Sequence, residues 1–190
     1  SSPAPSATPA APATEPEAVR RGRPSIAEAE ALSGRILDAS WEVLLSGGFE
    51  NFTFDRVARH AHIGKATIYS RFSGKMELLG ALLTRRIAIR TAHLQAQGSD
   101  LPVQEAFRLR AADTIRMLLS PDGMMTERLI DWLDQEGGGH TVRAHAYQHA
   151  IVNIAHSLGR TTADPYVAAR FWLEGLVGHA KVAVNEGPLT

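Results

Sequence analysis

The sequence predicts an all-α chain with a three-helix N-terminal domain and a longer helical domain behind it. Apolar residues recur at three- and four-residue steps through eight segments, the spacing of one helix face. No stretch alternates apolar and polar residues as a half-buried strand does. Gly and Pro steps punctuate the segments where helices are expected to stop or start.

After a Pro-, Ala-, Ser- and Thr-rich stretch at 1–19, expected to be a disordered tail, "RRGRP" leads into a helix from about Ser25 to Ser46. Leu32, Ile36, Ala39, Val43 and Leu44 form its apolar stripe, and Gly47-Gly48 ends it. Thr53 is placed to cap a second helix whose face is Phe54, Val57, Ala58 and Ala61. A short third helix spans roughly Lys65 to Phe72. Ser73 is then expected to cap a long helix over about 74–97, with Leu78, Leu79, Leu82, Leu83 and Ile87 inward. Further helices are expected at 103–119, from Thr126 to Gln135, at 141–158 and from Pro165 to about Val184, the last with Asp164-Pro165 as N-cap and first residue.

The 190 residues carry equal numbers of acidic and basic side chains. Their distribution is uneven, with nine Lys/Arg against six Asp/Glu in residues 20–75. A neutral chain can therefore present a locally basic surface. Cysteine is absent, which excludes disulfides, thiolate zinc sites and a cysteine nucleophile. No apolar run reaches the eighteen or so residues of a membrane span. With no signal-peptide pattern at the N-terminus, a cytoplasmic protein without a membrane partner is expected.

The stretch "HAHIGKATIYSRFSGK" at 60–75 is where the local charge meets a structural motif. Ile63, Ile68 and Phe72 are spaced to pack on Val57 and Ala58, which leaves Lys65, Ala66, Thr67, Tyr69 and Arg71 outward. Two short helices joined by a tight turn, the second with an exposed polar face, have helix-turn-helix logic. Such a second helix can enter the DNA major groove.

Residues 33–83 also resemble the N-terminal domain of the tetracycline-repressor-like (TetR) family of bacterial transcription regulators. The shared features are a helix ending in Gly-Phe, a Thr before the second helix, Val-Ala within it, then Thr-Ile-Tyr, a Phe and Lys-x-Glu-Leu-Leu. The resemblance implies phosphate contacts for Thr53, Tyr69 and Lys75, and base-edge contacts for Lys65, Ala66 and Arg71, with Thr67 suited to either. His62 stands where the family usually has Gly at a positive φ, and Gly64 where it usually has a capping Ser. "RGRP", Arg21–Pro24, resembles an AT-hook core, so Arg21 and Arg23 are candidates for a minor groove; a basic tail attracting phosphates nonspecifically fits equally well.

By the same resemblance, 20–75 is the DNA-binding domain with its arm, and 76–190 a helical domain for dimerisation and effector binding. Ala168, Phe171, Gly175, Gly178, His179 and Val182 run along one side of the last helix, as a dimer seam requires; an intramolecular core helix has the same pattern. Phe107, Met117, Met124, Met125, Trp132 and Tyr147 are candidates to line a pocket for a small, mostly apolar effector, although such residues also build plain core. His145, His149 and His156 share a helix face, but "HAYQH" lacks the Glu of a zinc-protease motif. A polar stripe at a subunit interface suits them better than a metal. The acidic residues Glu127, Asp131 and Asp134 are expected to face solvent. Without a nucleophile elbow, P-loop or dinucleotide fingerprint, neither an enzyme nor a cofactor is expected.

The expectation is thus a homodimeric, sequence-specific regulator, most simply a repressor released from a palindromic double-stranded DNA operator by a small effector. The alternative is a DNA-binding regulator without an effector, controlled by a protein partner or by abundance.

Overall fold

The computed structural model describes residues 25–137 and 141–186, and every regular element among them is helical. The expected tail at 1–19 and the basic arm through Arg21, Arg23 and Pro24 lie outside the described residues.

Helix α1 (Ile26–Gly47) begins at a reciprocal cap. The Glu28 N–H donates to Ser25 Oγ at 3.2 Å, and the Ser25 N–H donates to the Glu28 carboxylate at 2.7 Å. Those bonds from Ser25, the backbone one first, hold the Glu28 carboxyl below its ordinary value. Gly48, at φ +65°, closes the helix by donating to the Leu44 carbonyl. Helix α2 (Phe54–Ala61) is capped by Thr53, whose Oγ1 accepts from the Arg56 N–H at 3.3 Å.

Helix α3 (Lys65–Tyr69) stops three residues short of the expected Phe72. The N–H groups of Arg71 and Phe72 both converge on the Ile68 carbonyl, so the helix closes in a tightened turn. Helix α4 (Lys75–Ala96) has Gly74, not Ser73, as its N-cap. Ser73 sits one residue earlier, and its hydroxyl and N–H both donate to the Glu77 carboxylate, which corrects the expected cap.

Helices α5 (Val103–Leu118), α6 (Pro121–Glu136), α7 (Thr141–Leu158) and α8 (Pro165–Glu186) complete the chain, with a 3-10 turn at Gly159–Thr161 before α8. Helix α6 begins five residues before the expected Thr126, because Ser120-Pro121 is a cap and first helical residue as well as a stop. Gly123 there lies so close to the end of α5 that a Cβ would fall 2.0 Å from the Met117 carbonyl oxygen.

One apolar core joins the three-helix head to the body. Ile36 and Leu44 of α1, Val57, Ile68, and Leu78, Leu79 and Leu82 of α4 are fully buried with Leu129 of α6. Truncating such a residue costs about 2–5 kcal/mol, so the head is not a loosely tethered module. A second cluster, Ile151, Ala155, Ala169 and Leu173, zips α7 to α8. Asp134 is buried rather than solvent-facing: its carboxylate accepts from the N–H groups of Val142 and Arg143, satisfying the start of α7.

Candidate nucleic-acid interface and internal pocket

The α2–α3 turn sets the geometry of the interface. His62 takes the left-handed conformation (φ 54°, ψ 47°), the only non-glycine with positive φ among the described residues. Its N–H lies at the Ala58 and Arg59 carbonyls and closes α2. Arg35 of α1 donates to the Ala61 carbonyl at 2.9 Å, so one of the basic residues of the head caps α2. Gly64 starts α3 without a side-chain cap.

Ile68 is fully buried and locks α3 into the head. On its other side Lys65, Ala66 and Tyr69 are exposed, while Thr67 and Arg71 are partly so. Lys65 Nζ lies 2.8 Å from Asp55 of α2, and that hydrogen bond holds its pKa above the ordinary value. Both side chains stay accessible, so the ion pair orients the ammonium without removing it from solvent. The Tyr69 ring packs at 4.8 Å on Phe54, yet the residue remains 53% exposed. Thr53 is exposed at the start of α2.

Lys75 is placed differently from a free phosphate contact. Its ammonium donates to the Phe49 carbonyl at 3.1 Å and lies 5.0 Å over the Trp132 ring and 5.6 Å from the centre of Phe52. Burial pushes its pKa down. Arg56 and Arg59 of α2 are exposed and add positive charge that the motif reading passed over; their residue type was the only signal.

In the body, α4 to α8 line a partly open cavity of about 290 Å³. Of the six residues expected to line a pocket, Phe107, Met117 and Tyr147 do so. Met124, Met125 and Trp132 do not. The early start of α6 leaves Met124 exposed and turns Met125 into the head–body core, and Trp132 stacks on Phe49 at 5.7 Å. Burial first, then the Glu174 carboxylate, raises the Tyr147 phenol pKa.

Charged residues of the wall pair with one another. Arg86 meets Asp122 at 2.7 Å, and Arg143 bridges Glu127 at 2.8 Å and Asp131 at 2.7 Å. Asp122 also accepts from Trp41 Nε1 of α1 at 3.2 Å, and the Arg86 guanidinium lies 4.1 Å over the Trp41 ring. A pocket-lining ion pair thus touches a buried residue of the head directly.

The outer side of α8 is unpartnered among the described residues. Phe171 is 81% exposed, Val182 is 43% exposed, and Gly175 and Gly178 have no neighbour within 4 Å of a would-be Cβ; His179 is also exposed, and Ala168 partly so. His145, His149 and His156 lie exposed on α7. Among the described residues no group of three His, Asp or Glu is arranged to hold a metal, and no helix is long and apolar enough to cross a membrane.

Residues 36–82 match the family profile described as "Bacterial regulatory proteins, tetR family". The chain is 41% identical over 64 residues to the HTH-type transcriptional regulator SrpR of Pseudomonas putida, covering 34% of this chain and 30% of that one. It is 31% identical over 111 residues to YdeS, an uncharacterized HTH-type transcriptional regulator of Bacillus subtilis, covering 58% and 52% of the two chains. The match therefore spans about half or less of these relatives. A solved structure from Mesorhizobium loti, described as a TetR-family transcriptional regulator, shares the fold over 81% of this chain and 83% of that one, with a TM-score of 0.68 at 19% identity.

Proposed function

Through its helix-turn-helix head the chain belongs to the TetR family, and from that premise we propose that it is a homodimeric, ligand-responsive regulator that represses transcription from a palindromic operator in the cytoplasm. The observation that carries the DNA reading is α3 itself. Its buried side is one residue deep at Ile68, and its open side offers Lys65, Ala66, Tyr69 and part of Arg71. A lysine or arginine can read guanine O6 and N7, and the alanine can meet a thymine methyl. Thr53 and Tyr69 supply phosphate contacts that set register.

The dimer reading is supported by the outer face of α8. An exposed phenylalanine and valine beside two uncrowded glycines suit close approach of a second copy across a two-fold axis. Two heads then read half-sites about one DNA turn apart, ~34–36 Å, or a multiple of it. Effector control rests on the cavity and on the Arg86–Asp122–Trp41 contact. A ligand that prefers one arrangement of this wall shifts the population of head orientations, and hence the half-site spacing the dimer matches.

The test is selection of bound duplexes from a random DNA pool at two salt concentrations. An inverted repeat recovered at both supports the reading. Enrichment of A·T-rich DNA alone, lost at the higher salt, contradicts it and assigns binding to the Arg21–Pro24 arm.

A further inference from the structure

The cavity walls are apolar for most of their extent, with Ile87, Leu94, Phe107, Met117, Ile154 and Trp172 around it. Its charge is not evenly balanced. Around Arg143 two carboxylates, Glu127 and Asp131, face one guanidinium, and Arg86 is matched by Asp122. Toward the C-terminal end of α4 the balance reverses. Arg90 and Arg110 both line the cavity there, and among the described residues the one carboxylate bonded to either is Asp113, paired with Arg90.

Asp113 is itself shared, with His93 at 3.4 Å and Arg116 at 3.9 Å. Among the described residues no carboxylate bonds Arg110; its guanidinium donates to the Gln97 carbonyl at 3.0 Å and the Gln95 carbonyl at 3.3 Å. It lies 5.7 Å from the Phe107 ring centre, and Phe107 meets Trp172 edge-on at 5.5 Å. The Nε of Arg90 is buried without a hydrogen-bond partner, although its two terminal nitrogens are bonded to Asp113 and Thr114.

The Gln97 side-chain oxygen is also buried without a partner, so the acceptor count is even. Among the described residues, however, the Arg110 guanidinium, on the same cavity wall as Arg90, is held by carbonyls alone and lacks a negative charge. From this imbalance we propose that the effector is a lipophilic monoanion, with an apolar body along the Phe107–Trp172 wall and a carboxylate or similar oxyanion at Arg90 and Arg110. The assignment rests on the cavity being the effector site. At ~30 Å³ per methylene- or water-sized group, 290 Å³ holds about ten such groups. A medium-chain acid is therefore of the right size. A cation of the same length would meet two arginines.

The experiment is calorimetric titration of the full chain with decanoate, decanol and decylamine, with no DNA present. Decanoate is expected to bind at least about tenfold more tightly than decanol, the scale of a charge-assisted hydrogen bond, and decylamine more weakly than either. Arg110→Gln is expected to remove most of the advantage of the acid over decanol. Arg90→Lys, which keeps a cation for Asp113 but deletes Nε, is expected to reduce it in part. Equal affinities for acid and alcohol, or acid binding unchanged in folded Arg110→Gln, overturn the proposal. So does a failure of decanoate to bind. If decanol binds as tightly as decanoate and weakens operator binding, the effector reading stands and only the anion assignment falls. If decanoate binds with the expected preference yet operator binding is unaffected, the anion assignment stands and effector control falls.

Discussion

Replacing Asp122 with alanine removes one carboxylate that serves both halves of the molecule. Its partners are Arg86 at 2.7 Å and Trp41 Nε1 at 3.2 Å, while its backbone carbonyl keeps its bond from the Thr126 hydroxyl. The Arg86 and Asp122 side chains are 27% and 47% exposed, between the surface and buried limits for ion pairs. Their loss is placed at about 1–2 kcal/mol, above the 0–1 of open surface pairs and below the 3–5 of buried ones. The Trp41 N–H, in a residue 5% exposed, is left without this acceptor, adding about 1 kcal/mol. Asp122→Ala is thus expected to lower stability by about 2–3 kcal/mol, and Asp122→Asn, which keeps an acceptor for Trp41, by about 1 kcal/mol. Urea denaturation checks this as a fall in midpoint at constant slope. Because the contact joins pocket wall to head, both variants are also expected to weaken the effect of a bound ligand on operator affinity. An Asp122→Ala protein within about 0.5 kcal/mol of the parent, the range of an ordinary surface change, refutes the reasoning.

The inward placement of Lys75 predicts that Lys75→Ala lowers stability by about 1–2 kcal/mol while the salt slope of DNA binding stays put; a slope reduced by about 0.9, the signature of one lost phosphate contact, restores the phosphate role. Phe171→Glu on the exposed face of α8 is expected to give a folded monomer with weakened operator binding, read by sedimentation; an unchanged dimer removes this face from the interface. Burial tends to raise the Asp113 carboxyl pKa, but the Arg90 hydrogen bond and the charges of Arg90, His93 and Arg116 outweigh it and hold the pKa below its ordinary value. Its contribution to stability is therefore complete above its unfolded value of about 3.9 and is lost as pH falls through the lower folded value. Asp113→Asn is expected to flatten that acid limb, and an unaltered acid limb contradicts the assignment.

Local chemistry made most of the helix architecture legible. The Thr53 cap, the left-handed turn at His62, the uncapped Gly64 and the Asp164-Pro165 start of α8 are decided by residues within one turn of each other. The misses have equally local causes. Pro121 reads as a stop for one helix and as the first residue of the next, and Ser73 reads as a cap although Gly74 takes that place and Glu77 reaches back to it. The interior was less legible because it depends on distant pairs. Met117 and Met125 are alike in type and eight residues apart, yet they belong to a cavity and a core respectively. Trp41 and Asp122 are separated by 81 positions, and nothing in either neighbourhood announces their bond. Asp113 shows both cases: its pair with Arg116 lies one turn away on α5, whereas its bond from Arg90 of α4 spans 23 positions.

The central claim is that the open face of α3 reads bases while Tyr69 holds the backbone. It is tested most directly by repeating the random-pool selection with Lys65→Ala and Tyr69→Phe proteins beside the parent. The account predicts that Lys65→Ala loses preference at one position in each half-site, with the rest of the inverted repeat intact, and that Tyr69→Phe recovers the parental motif at lower overall affinity. The same motif from parent and Lys65→Ala proteins, or relaxed preference in the Tyr69→Phe selection, contradicts it.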